Sequence, residues 1–156
     1  MNVALKPAAF ELVMKREIAA PRERVFAAWT DVQQTERWWA PRDFTILSCE
    51  MDLRPGGAWH RRMRAQSGAI VTKHGVYREI VVPERLVFTY ITEDANGVID
   101  PETLVTVTFT DLGGRTRLTL QHSAFQTDAA RIGHEGGWTS CLERFSSFIS
   151  SFAFND

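Results

Sequence analysis

Between Phe44 and His122 the chain is a succession of short apolar segments, each closed by a turn signal, and this limits it to a meander of strands. "FTILSCEMDL" (44–53) meets "PGG" at Pro55 to Gly57, where proline followed by glycine suits a type II turn. "AWHRRMRA" runs to "QSG" at Gln66 to Gly68, and "IVTKHGVYREIVV" to a tight turn at Pro83 and Glu84. "RLVFTYIT" runs to the longer loop "EDANGVIDPE". "TLVTVTF" and "TRLTLQH" flank "DLGG", Asp111 to Gly114, a further hairpin signal. About six strands joined this way pair antiparallel.

What precedes and follows the meander sets the layers. "FELVMKREI" (10–18) alternates and reads as a half-buried strand. In "APRERVFAAWTD", Pro21 suits a first helical position, and Val25, Phe26 and Trp29 share one face. Asp31 or Thr30 can cap a second short helix, "VQQTERWW", which Pro41 ends. Neighbours on a helix point about 100° apart, so Trp38 and Trp39 cannot face the same place. One is expected to plug the gap between the short helices and the sheet, with Trp38 the more buried, and the other to lie at the rim. After the strands the period changes. Trp138, Cys141, Leu142, Phe145, Ile149 and Phe152 recur at steps of three and four, a helical stripe. Thr127 or Asp128 is expected to start a preceding turn, and Gly136 and Gly137 to bend the chain into the long helix. The fold class is α+β, with one long helix covering a curved antiparallel sheet and a space left between them.

A chain of 156 residues is one domain, 1–156, by length. Its net charge of -1 argues against a constitutive nucleic-acid binder and against a surface that needs anionic lipid. Lys6 and Pro7 interrupt the apolar residues of "MNVALKPAAF" before a signal peptide can form, and no segment approaches the ~18 apolar residues of a membrane span. A cytoplasmic location is expected, with Cys49 and Cys141 as reduced, buried thiols. Monomer and homodimer both remain open.

Several motifs in one order then resemble a known family. "APRERVFAAWTD", "RWWAPRDF", "DLRPGGAW", "GVYREIVVPERLVFTY", "TLVTVTFTDLGGRTRLTL" and "GGWTSCLERF" are similar to the START-like, SRPBCC superfamily. The nearest branch resembles the bacterial proteins similar to the C-terminal domain of the activator of the heat-shock protein 90 ATPase. The resemblance covers roughly Phe10 to Phe152. It implies a helix-grip fold, a curved antiparallel sheet around the long C-terminal helix with two short helices after the first strand. It also implies an apolar residue where this sequence has Arg61. Fold does not fix function here, because the superfamily holds carriers, cyclases, oxygenase domains and co-chaperone domains. The oxygenase role is excluded by the lack of a cysteine–histidine cluster for an iron–sulfur centre.

Strand pairing sets which side chains share the face toward the helix. The "GG" turn places Phe109 near Leu118, Val107 near Leu120 and Val105 near His122. A two-residue "PE" turn places Leu86 near Val81, Phe88 near Glu79 and Tyr90 near Tyr77. The expected ligand-binding set is Arg61, Glu79, His122, Trp59, Tyr90, Phe88, Trp138 and Trp39. Arg61 either meets an anionic or carbonyl group of the ligand or is paired with Glu79. His122 is either an acid–base group or a hydrogen-bonded core histidine beside Tyr90. The four histidines are scattered without zinc-motif spacing, and no glycine-rich phosphate loop is present, so no metal or cofactor is expected. The expected function is binding of a small apolar or aromatic ligand, anionic or neutral. The family resemblance supplies a heat-shock chaperone as an alternative partner. A cyclase- or dehydratase-like enzyme using Glu79 and His122 is a third reading.

Overall fold

The computed structural model describes residues 10–154, with side chains described as far as Ser151. The expectations for "MNVALKPAA" and for Phe152 therefore lie outside the described residues and side chains. The element order is β1 (Phe10–Ile18), α1 (Arg22–Thr30), α2 (Val32–Trp38), β2 (Phe44–Met51), β3 (Ala58–Ala65), β4 (Ile70–Val81), β5 (Arg85–Glu93), β6 (Thr103–Asp111), β7 (Thr116–Phe125) and α3 (Asp128–Phe154). The seven strands form one antiparallel sheet in the order β1-β7-β6-β5-β4-β3-β2. The six strands of the meander neighbour one another in sequence, and β1 closes against the last of them.

Local chemistry explains the boundaries. The Arg54–Gly57 turn closes with Gly57 N–H donating to Arg54 O at 2.8 Å, and Gly56 sits at φ 85°, the third position a type II turn requires. The Asp31 carboxylate accepts from Gln33 N–H and starts α2. Thr127 Oγ1 accepts from Ala130 N–H at the start of α3. Here the structure corrects the sequence reading. Thr127 caps the long helix itself, and α3 runs through Gly136 and Gly137 without interruption.

The β6–β7 register matches expectation: Phe109 pairs with Leu118, Val107 with Leu120 and Val105 with His122. The β4–β5 register does not. The connection takes three residues, Val82 to Glu84, so Val81 pairs with Arg85 and Leu86 with Ile80. That same register sets Glu79 opposite Val87, and a bulge between Glu79 and Tyr77 then shifts the pairing again and sets Tyr77 opposite Phe88. A slip of one residue exchanges the faces of a strand. Glu79 therefore leaves the face expected for it.

The core lies between the sheet and α3. Leu142, Phe145 and Ile149 from the helix meet Val25, Phe26 and Trp29 of α1 and the inward residues of β1, β6 and β7. Trp29 is the hub, with ring centroids 4.7 Å from Trp38, 6.1 Å from Trp138 and 6.0 Å from Phe145. Aromatic pairs at such separations contribute about 0.5–1.5 kcal/mol each beyond their buried area.

Candidate functional site

The first half of α3 stands off from β3, β4 and β5, and a cavity of about 590 Å³ opens there. Three residues on the helix side are glycines, Gly133, Gly136 and Gly137. Their spacing of three and four puts them on one face, where Ala130, His134 and Cys141 supply the side chains that remain. A Cβ built on Gly133 or Gly136 meets nothing within 4 Å. The space thus arises where the helix lacks side chains. The sequence reading took two of these glycines for a bend. The opposite wall is apolar and aromatic, with Phe44, Met63, Val71 and Tyr90, and Trp39 and Trp138 close one end. A smaller cavity of about 240 Å³ adjoins it and shares Tyr90, Asp100, Ala130 and His134.

The adjacent tryptophans divide the work. Trp38 is fully buried, meets Trp29 at a tilt and Phe145 edge-on, and its Nε1–H donates to Ala28 O at 3.0 Å. Trp39 does not lie at a rim. It is 4% exposed, and it lines the cavity. Its ring centroid lies 6.1 Å from Trp59 and 6.0 Å from Trp138.

Arg61 faces inward but does not line the cavity. Its guanidinium lies 4.4 Å from the Trp39 ring centroid and 4.8 Å from that of Trp59. Trp39 is the layer between Arg61 and the cavity. Among the described residues no carboxylate lies within 4.0 Å of Arg61, and its Nε is buried without a hydrogen-bond partner. Two indole faces supply the electrostatic compensation that an anion supplies elsewhere, each worth roughly 0.5–2 kcal/mol. Burial raises the Tyr77 hydroxyl and the Cys49 thiol, and the Arg61 charge opposes both shifts.

Glu79 does not meet Arg61. It is half-buried on the outer face of the sheet, where Arg85 holds it with two bonds, Nε to Oε1 at 2.9 Å and a second nitrogen to Oε2 at 3.1 Å. The Arg85 hydrogen bond holds its carboxyl below the usual value. The Arg61–Glu79 pair, one of the two alternatives for Arg61, is not formed, and neither is the meeting of Glu79 with His122 on which the enzyme alternative rested.

His122 is fully buried and fully bonded. Thr103 Oγ1 donates its proton to Tyr90 O at 2.7 Å, so the contact of 2.8 Å between Thr103 Oγ1 and His122 Nε2 is donated by the ring. Trp138 Nε1–H donates to His122 Nδ1 at 3.1 Å. The imidazole is neutral with its proton on Nε2. Burial, with smaller contributions from His134 and Lys73, pushes its pKa down to about 2. It is the hydrogen-bonded core histidine of the two alternatives. Trp59 and Phe88 are buried against each other at 5.6 Å beside the cavity rather than on its lining. Of the expected set, Trp39, Tyr90 and Trp138 line it.

The ionisable residues that line it are others. Lys73 lies directly opposite Arg61 across the β3–β4 pair and opposite Thr92 across the β4–β5 pair. Its Nζ stands 5.4 Å from the Tyr90 ring centroid and donates to Thr92 Oγ1 at 2.9 Å. Burial lowers it to about 8, with Asp100 opposing part of that shift. His134, on α3, is lowered by burial first and by the Lys73 charge second. Cys141 also lines the cavity, and burial pushes its thiol up to about 12. Lys73 had a signal in the sequence. If Met63 faces inward, folding the chain about "QSG" brings Val71 and then Lys73 to the same face. Among the described residues no group of three or more histidine, cysteine or acidic side chains is placed to hold a metal ion. No helix among them is long and apolar enough to cross a membrane.

A curved antiparallel sheet gripping a long C-terminal helix, with a cavity between them, defines a START-like helix-grip domain. The chain belongs to the family described as Activator of Hsp90 ATPase homolog 1-like protein, whose model matches residues 19–150. The crystal structure of the AHSA1 protein from Silicibacter pomeroyi is similar, with 26% identity over 94% of this chain and 100% of that chain and a TM-score of 0.81. A solution structure of a protein from Arthrobacter aurescens shares 28% identity over 92% and 87% of the two chains, with a TM-score of 0.76. A crystal structure from Rhizobium loti shares 27% identity over 90% and 96%, with a TM-score of 0.75. No curated protein matches the chain.

Proposed function

We propose that the protein binds a small, largely aromatic molecule in the cavity between α3 and strands β3 to β5. The carrying observation is the cavity itself: about 590 Å³, lined by the rings of Trp39, Phe44, Tyr90 and Trp138 and bordered on the helix side by three glycines. That volume falls within the usual range of ligand pockets, roughly 300–1,000 Å³. Burial of apolar ligand surface at about 25 cal/mol per Å² supplies most of the affinity. Of the two cations that border the cavity, Arg42 is exposed and paired with Glu143, which leaves Lys73, and not Arg61, to meet an anionic or carbonyl group. Glu79 and His122 share no site, which removes the enzyme reading that paired them.

The test is a thermal-shift and calorimetric panel of aromatic alcohols, acids and aldehydes against the wild type and Gly133→Leu. Leucine there projects into the open space at the helix face and favours the helix. The variant is expected to stay folded and to lose binding. A wild type that binds no member of the panel, or a variant that binds as well, refutes the proposal. The family description supports a second reading, a co-chaperone acting on a heat-shock ATPase. Stimulation of that ATPase by wild type and Gly133→Leu alike is the result expected if a surface, not the cavity, carries the activity.

A further inference from the structure

The chain is rich in arginine and poor in lysine. Of 18 cationic residues only Lys6, Lys15 and Lys73 are lysines, and one of them lines the cavity. Arginine stays charged at any working pH, whereas a desolvated lysine gives up its proton and becomes a nucleophile. The two residues face each other across β3 and β4 as Arg61 and Lys73, so the distinction is drawn within one strand pair.

A directed chain of hydrogen bonds leads away from the amine. His134 Nδ1 lies 2.8 Å from Ala130 O. A carbonyl oxygen only accepts, so the ring proton sits on Nδ1 and Nε2 is left as an acceptor. Thr92 Oγ1 lies 3.4 Å from that Nε2 and accepts from Lys73 Nζ at 2.9 Å. Its own proton is therefore directed at His134. The chain runs Lys73 to Thr92 to His134, and both ends of it border the cavity. Among the described residues no carboxylate lies within 4.0 Å of Lys73 to hold its proton. Asp100 borders the same cavity, and Arg61 faces Lys73 as a like charge.

Resting on the cavity reading above, we propose that Lys73 is a nucleophile that attaches an aromatic aldehyde in this cavity as an imine. The ammonium proton passes through the Thr92 hydroxyl to His134 Nε2. The freed lone pair on Nζ attacks the carbonyl carbon, a C–N bond forms, and the carbonyl π pair moves onto oxygen. A proton shifts from nitrogen to that oxygen, giving the carbinolamine. The nitrogen lone pair then expels the hydroxyl group, which takes the proton from His134 and leaves as water. The sum is ammonium plus aldehyde giving iminium plus water, with no change of oxidation state. Trp39, Tyr90 and Trp138 provide the aromatic wall for the ring of the ligand.

The probe is naphthaldehyde, with naphthylmethanol as its counterpart without a carbonyl. Imine is trapped with cyanoborohydride at neutral pH and located by peptide mapping. At least about tenfold faster modification of Lys73 than of the exposed Lys15 is expected from an amine activated in an apolar pocket. Thr92→Val is expected to slow it and Thr92→Ser to keep it, with naphthylmethanol binding equal in both. Modification of Lys73 no faster than of Lys15, with naphthylmethanol still bound, overturns the inference and leaves the cavity reading standing. An unchanged rate in Thr92→Val overturns the relay. Failure of both probes to bind overturns the inference together with the cavity reading.

Discussion

Acidification should destabilise this fold through one buried ring, and the size of the effect follows from its bonds. His122 is neutral, with Nε2–H donating to Thr103 and Nδ1 accepting from Trp138. A second ring proton on Nδ1 would face the Trp138 N–H, donor against donor, in a site closed to water. The pKa accordingly falls from 6.5 to about 2 in the folded state, with burial the largest cause. A folded pKa below the unfolded one means that the unfolded chain binds the extra proton. The stability is present above about 6.5 and is lost as pH falls from there toward 2. Between about pH 7.5 and about pH 5 the loss from His122 alone comes to about 2 kcal/mol. His134 is shifted the same way and adds to it. Glutamine at position 122 can accept from Trp138 and donate to Thr103 without titrating. Urea unfolding followed by the fluorescence of the five tryptophans measures the difference. His122→Gln should start less stable at the higher pH, yet lose about 2 kcal/mol less than wild type on moving to the lower. Equal losses in the two proteins would refute the assignment of a neutral, buried imidazole.

Three further outcomes are expected. Gly136→Ala should raise stability by about 0.5–1 kcal/mol in the same urea assay, because the residue is mid-helix and its Cβ meets nothing. Cys141 should react with a thiol reagent near pH 8 far more slowly than a small free thiol, since its thiol is held up at about 12; alkylation of the native protein followed by mass checks this. Arg61→Met should leave stability unchanged or raise it by about 1–3 kcal/mol, because the substitution removes a buried cation that has no anion partner. A marked loss in chemical denaturation would show instead that the two indole contacts outweigh the burial of the charge.

The parts of this structure that were legible in the sequence are those whose turns fix a register. Gly113 and Gly114 both adopt positive φ, so the β6–β7 hairpin closes in one way and every inward residue follows. The helical stripe from Trp138 to Ile149 was legible because its period is unambiguous. Strand β4 was not. "IVTKHGVYREIV" has no clean alternation, its connection to β5 is one residue longer than "PE" suggests, and a bulge adds a second shift. The longer connection carried Glu79 to the outside, and the bulge returned Tyr77 to the inside. The cavity was illegible for a different reason: it depends on side chains that three glycines do not have, and on how far α3 stands from the sheet.

The isolated glycine of β4 bears on all of this. A Cβ on Gly75 would fall 1.9 Å from Thr89 O and 2.8 Å from the Trp59 indole nitrogen. That nitrogen donates to the same carbonyl, and Val76 N–H turns to the Thr89 hydroxyl. Three strands are thus pinned at one point by a side chain of β3 reaching into the β4–β5 ladder. Trp59 in turn backs Arg61, and Arg61 backs Trp39. The position of the aromatic wall is therefore tied to the spacing of the sheet: the indole that bridges β4 and β5 packs on the guanidinium that in turn packs on Trp39, at the edge of the cavity.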